Sequence, residues 1–134
     1  MNESDERYER GLRNLKTLNA GAPDRLAAVT QGVAPDLARY TIEYGYGDVF
    51  NRPGLDRRTR QIITVAVLAT LGNAAPQLRS HIRGALNVGV SREEIAEIMI
   101  QLSVYAGFPA ALNGTGMARE VFKTLDEESE SAAE

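Results

Sequence analysis

Between Ile62 and Leu71 the chain sets Ile62, Ile63, Val65, Ala66, Val67, Leu68, Ala69 and Leu71 around just two threonines. Wound as a helix, this run is apolar on every side, and such a helix needs cover all round, inside a bundle or an oligomer. It is too long for a single strand, which settles helix over strand.

The same helical period runs nearly throughout. Tyr8, Leu12, Leu15 and Leu18 mark an N-terminal amphipathic helix that ends at the break Gly21-Ala22-Pro23. A short helix is predicted from Asp24 to Gln31, and another starts near Asp36 with Leu37, Tyr40 and Tyr44 as its apolar residues. The segment Gly45 to Gly54 is rich in turn residues and aromatics and holds no lasting period, so it reads as a long loop, the kind that often carries function.

Asp56 is a candidate N-cap for the apolar helix. Pro76 suits the first turn of the next one, whose stripe is Leu78, Ile82, Ala85 and Leu86 and whose end is marked by Gly89. Ser91-Arg92-Glu93-Glu94 has the form of a capping box, in which Ser91 accepts from the third helical amide and Glu94 reaches back. The helix it opens is expected to bury Ile95, Ile98, Met99, Leu102 and Tyr105 and to stop at Gly107-Phe108-Pro109. A last helix carries Leu112, Met117, Val121 and Leu125. Residues 126–134 have no apolar side chain larger than Ala and are expected to be a disordered acidic tail behind one domain of residues 1–125.

With 134 residues the chain suits one compact core. It has no cysteine, which excludes disulfides, thiolate metal sites, Cys nucleophiles and dithiol redox chemistry. A single histidine, His81, makes a zinc site improbable, so no metal is expected. The net charge is −3, but five acids sit in the tail, which leaves 13 acids against 15 bases, or +2, in residues 1–125. That is too weak for a nucleic-acid footprint. No apolar stretch is long enough to span a bilayer, and the charged opening MNESDERYER is unlike a signal peptide, so a cytoplasmic protein is expected. Thirteen of the fifteen bases are Arg, whose planar fork matches the two oxygens of a carboxylate.

One local constellation stands out. In Gln77-Leu78-Arg79-Ser80-His81-Ile82-Arg83-Gly84-Ala85, residues four apart share a helix face, so Gln77 and His81 line up beside the buried stripe. A lone histidine in such a place is more often structural than catalytic; Gln77 on its face and the room left by Gly84 argue for function. Arg57, Arg58, Arg79 and Arg83 read as solvated surface residues. Arg52 differs, because it sits in the aromatic loop beside a Pro-Gly turn.

These motifs carry a resemblance. Arg52 to Arg60, His81, the run Gly89 to Glu97 and the run Tyr105 to Ala111, together with Arg7 to Gly11 and Tyr44 to Phe50, resemble the carboxymuconolactone decarboxylase family in one register from about Tyr8 to Leu125. The resemblance implies an all-α fold of the alkylhydroperoxidase D-like type with about six helices. It also implies a homo-oligomeric ring, trimer or hexamer, with sites near subunit interfaces. Relatives with peroxidase activity carry a Cys-x-x-Cys pair seven and four residues before the histidine. Here those positions are Ala74 and Gln77, so thiol attack on a peroxide is excluded. Decarboxylase-type members usually carry Glu at the position of Gln77 and often an acid near Gln61; both are Gln here, which keeps the hydrogen-bonding shape without the proton.

The reaction implied is loss of CO₂ from 4-carboxymuconolactone to give 3-oxoadipate enol-lactone, without a cofactor, in aromatic (protocatechuate) catabolism by the β-ketoadipate route. Such an enzyme must hold a small carboxylate/lactone substrate, stabilise an oxyanion and deliver one proton. On this reading His81 is the proton donor and Gln77 orients the carbonyl. Arg52, with Arg60 behind it, clamps a carboxylate, while Tyr46, Phe50 and Tyr105 line the substrate site. Two alternatives stand beside it: a same-fold enzyme for a different enolisable lactone or keto acid, and a non-catalytic oligomeric assembly protein in which His81 is structural.

Overall fold

A computed structural model describes residues 2–134. Among them the chain is all-α, as expected: seven α-helices, one π-helical segment and no strand. The helices are α1 (Glu3–Leu18), α2 (Ala22–Thr30), α3 (Pro35–Tyr40), α4 (Arg57–Leu71), α5 (Ala75–Asn87), α6 (Arg92–Ala106) and α7 (Phe108–Ala133), with the π-helical segment Thr41–Val49 continuing directly from α3. No described helix is long and apolar enough to cross a membrane. Contacts divide the chain into two compact units, Met1–Arg57 and Arg58–Glu134.

In the first unit α1 opens on a capping box: the Asn2 side chain accepts the Asp5 amide at 2.9 Å, and the Asp5 carboxylate accepts the Asn2 amide. Leu15 and Leu18 are buried on its inner face, as is Ile42 on the π-helical segment. The two elements meet at glycine. A Cβ on Gly11 would lie 2.0 Å from the Ile42 carbonyl oxygen, and one on Gly47 would lie 2.6 Å from that of Arg7.

The loop expected from Gly45 to Gly54 is therefore a correction. Its first half is helical, closed by five-residue hydrogen bonds such as Phe50 N–H to Gly45 C=O at 2.9 Å, and the irregular stretch starts only after Val49. Distant side chains hold its end: Arg10 Nε donates to the Gly47 carbonyl at 2.8 Å and Asn14 Nδ2 to that of Tyr46 at 2.7 Å. Arg7 and Arg10 grip Asp48 at 2.6 and 3.2 Å, and the Arg7 hydrogen bond holds that carboxyl below the usual range. Leu37, Tyr40 and Tyr44, the apolar residues that suggested a helix near Asp36, are exposed.

The second unit is built around a core from all four of its helices. α4 contributes Val65 and Ala69, α5 Leu78, Ile82 and Ala85, α6 Ile95, Met99 and Leu102, and α7 Ala111, Ala118 and Val121. The helix starts follow their sequence signals. Pro76 lies in the first turn of α5, and Ser91 and Glu94 close the capping box of α6 with both bonds formed at 3.1 Å. Gly89 and Gly107 take positive φ at the ends of α5 and α6, a backbone region where L side chains are strained. The apolar helix α4 is buried along one line only. Along its other side Ile63, Val67 and Leu71, four residues apart, are 46%, 51% and 61% exposed.

Two further expectations are corrected here. The acidic tail is not disordered: α7 runs on to Ala133, and Asp126 and Glu128 pair with Arg92 and Arg83, each at 2.6 Å. Nor are the surface arginines merely solvated. Arg58 pairs with Glu94, Arg79 with Glu120 and Arg83 with Glu128, while Arg57 donates to the Asn14 side chain in the first unit.

Candidate active site

The second unit sets the one histidine of the sequence against a buried amide. Leu78 and Ile82 turn inward on α5, so His81 between them lies at the margin of the core, half-buried. Facing it from α4 is Gln61, which is fully buried and occupies the core-facing line of Val65 and Ala69 one turn earlier. The Gln61 Oε1 atom is 3.1 Å from His81 Nδ1. An amide oxygen can only accept, so Nδ1 is the donor in this contact. The amide nitrogen of Gln61 is buried without a hydrogen-bond partner.

Burial pushes the His81 ring below its ordinary pKa of about 6.5, because charging it there forfeits solvation. The resting imidazole is therefore neutral at pH 7. This adjusts the expectation of a ready acid: a proton must be drawn onto the ring before it can be given away.

Gln77 lies one turn before His81 on α5 and is exposed. Arg60 precedes Gln61 on α4 and is half-buried. Tyr105, expected to be buried, is 87% exposed near the end of α6. The other candidates belong to the first unit. Tyr46 and Phe50 are half-buried, with ring centroids 5.6 Å apart and planes tilted by 47°. Burial pushes the Tyr46 hydroxyl up to about 12, so it stays a neutral phenol. Arg52 is on the surface after the π-helical segment.

Gln61 was not among the residues given a catalytic or binding role from sequence. Its signal was there, as the one amide inside the apolar helix, but its partner lies 20 positions away and emerges only when α4 and α5 pack.

Comparison with known proteins adds the relatives. Over 126 residues, 93% of this chain and 92% of the relative, the sequence is 36% identical to the 4-carboxymuconolactone decarboxylase of Acinetobacter baylyi. It is 37% identical over 97 residues, 72% of each chain, to an uncharacterised 15.0 kDa protein of Paracoccus denitrificans. It is 33% identical over 89 residues, 66% of this chain and 61% of the relative, to the nitrosuccinic acid decarboxylase of Metarhizium robertsii. The family model described as the carboxymuconolactone decarboxylase family matches residues 35–120, so this chain is a member of that family.

Proposed function

We propose that this protein is a cofactor-independent carboxy-lyase that converts 4-carboxymuconolactone into 3-oxoadipate enol-lactone in the cytoplasmic breakdown of protocatechuate. The observation that carries the substrate is the likeness, over nearly the whole chain, to a relative named for that reaction. The His81–Gln61 pair supplies a device suited to its proton transfer.

The bond to the scissile carboxylate breaks and CO₂ departs without the electron pair. That pair flows through the ring double bond to the lactone carbonyl oxygen, and the dienolate is then protonated on carbon. His81 rests neutral; a bound carboxylate places negative charge near the ring and draws a proton onto it. The imidazolium shares its Nδ1 proton with Gln61 and delivers the other from Nε2. Gln77 donates its amide to the developing oxyanion, a role worth roughly 3 kcal/mol in other enzymes. Arg52, seconded by Arg60, clamps a substrate carboxylate by the bidentate geometry that guanidinium favours, and Tyr46, Phe50 and Tyr105 supply apolar contact.

The working form on this reading is a homo-oligomeric ring, trimer or hexamer. The exposed line Ile63, Val67 and Leu71 supports it, since a continuous apolar helix face left in water is the usual mark of a missing neighbour.

A second reading has its own support. Gln61 and Gln77 are neutral where decarboxylase members usually carry acids, and one relative is named for decarboxylating a different small acid. The substrate would then be another enolisable lactone or acid handled by the same His81.

Purified protein incubated with 4-carboxymuconolactone, followed by CO₂ release and ultraviolet absorbance, separates the two. Turnover of about 1 to 1000 per second supports the first reading. Silence with the lactone and turnover of a related acid would replace it with the second.

A further inference from the structure

We propose that Gln61 is a positioning residue: its buried carboxamide oxygen accepts the Nδ1 proton of His81 and holds the ring in the tautomer whose Nε2 carries the lone pair. Resting on the proton-transfer role given to His81 above, the inference adds the group that decides which nitrogen does the work.

The first argument is geometric. Gln61 is 0% exposed, and its Oε1 is 3.1 Å from Nδ1, within the ordinary range of a hydrogen bond. The carboxamide is anchored on α4 beside Val65 and Ala69, both buried, so it has little freedom to turn away. A histidine ring whose Nδ1–H is taken by a fixed acceptor is committed at its other nitrogen.

The second argument comes from the opposite end of the same side chain. The Gln61 amide nitrogen is buried with no hydrogen-bond partner, a state that disfavours folding. A Leu or Met of similar size would fill the space without that orphan donor. On packing grounds, then, Gln61 is a poor choice for the core, and what it offers beyond an apolar residue is the oxygen turned to His81.

The third argument concerns charge. A carboxylate in this place would also accept from Nδ1, but it would add a permanent negative charge and favour the protonated ring. The neutral amide fixes orientation alone. Burial then keeps the ring uncharged until substrate arrives, with Nε2 as its basic nitrogen.

The test uses the fact that His81 is the one histidine in the sequence. A long-range ¹H–¹⁵N correlation spectrum of the full-length ¹⁵N-labelled protein, recorded where the ring is neutral, shows a single imidazole. The wild-type spectrum should be that of the Nδ1–H tautomer. Gln61→Glu should keep that pattern, because its carboxylate still accepts. Gln61→Leu and Gln61→Met should move the ring toward the Nε2–H tautomer that free histidine side chains favour in water.

A wild-type proton on Nε2, or a folded Leu or Met variant with the wild-type pattern, would overturn the proposal. If both apolar variants fail to fold, the wild-type spectrum decides alone. Where the lactone is turned over, Gln61→Leu should lower kcat by at least about tenfold with little change in KM. The spectra need no substrate, so expected spectra beside a silent lactone assay would remove the proposed substrate and leave the role of Gln61 standing.

Discussion

A Cβ atom at Gly114 would stand 2.6 Å from the sulfur of Met99 and 3.3 Å from the Cβ of Ala69, so α7 passes its neighbours there with no room for a methyl group. Two positions on, a Cβ at Gly116 meets nothing within 4 Å. Gly114→Ala should therefore destabilise the protein by about 1 to 3 kcal/mol through overpacking. Gly116→Ala should stabilise it by about 0.5 to 1 kcal/mol by removing a flexible residue from a helix. Denaturant midpoints of the two variants should fall on opposite sides of the wild type.

The end of α7 should respond to acid and salt. Hydrogen bonds from Arg92 and Arg83 hold the Asp126 and Glu128 carboxyls below the usual range, so their contribution is present above the ordinary carboxylate pKa and fades as pH falls through the lowered values. Amide protection factors across residues 126–133, corrected for the intrinsic pH dependence of exchange, should fall on acidification and at high salt. The double variant Asp126→Asn, Glu128→Gln should exchange fast already at neutral pH. Wild-type protection that ignores both treatments would contradict the pairing.

His81 should affect both activity and stability. Replacement by Ala should reduce turnover at least about 100-fold, the scale of a general acid–base group. Because burial lowers the folded-state pKa of the ring, its neutral form is stable above about pH 6.5, and stability drains away as pH falls from there toward the lowered value. Denaturation midpoints at pH 7.5 and 5.5 should thus diverge more in the wild type than in His81→Gln.

Gln77 probes the specialisation of the site. Gln77→Glu replaces the amide that donates to the oxyanion with a carboxylate, which has no proton to donate at neutral pH, and should lower the rate on 4-carboxymuconolactone. Steady-state kinetics on that lactone are the check, and a higher rate would show that the site has lost an acid its chemistry used.

The exposed line on α4 gives a test of assembly. The wild type should sediment as an oligomer, and Val67→Glu, which sets a charge amid Ile63 and Leu71, should drive it toward monomer. A monomeric wild type would end the ring reading.

The helical part of the fold was legible because its signals are local. Ser91 and Glu94 lie three residues apart and form their box unaided, and Pro76, Gly89 and Gly107 start or stop helices by their own backbone chemistry. Signals that depend on distant partners were silent. The π-helical segment is secured by Arg10 and Asn14, more than thirty residues away, and a five-residue bond leaves no 3.6-residue stripe to read. The tail looked disordered because acids without apolar neighbours suggest a solvated chain, while Arg83 and Arg92 that hold it lie 45 and 34 positions away. His81 was visible by its rarity. Which atom would face it depended on how α4 packs against α5, and no spacing rule encodes that.

The π-helical segment also sets a rule for how this chain can change length. A π-turn holds an extra residue compared with an α-turn, so losing one residue here would tighten the coil rather than break it. Gly45 is the natural place, since a side chain there would touch nothing within 4 Å. Such a deletion would leave the Gly11–Ile42 approach upstream in register but swing Tyr46, Gly47, Asp48 and Phe50 round the axis by roughly a quarter-turn or more, away from the groups on α1 that hold this end of the segment. A single codon lost at Gly45 would thus re-aim two aromatic side chains and at the same time uncouple the end of the segment from Arg7, Arg10 and Asn14, which ties the length of this stretch to the packing of α1.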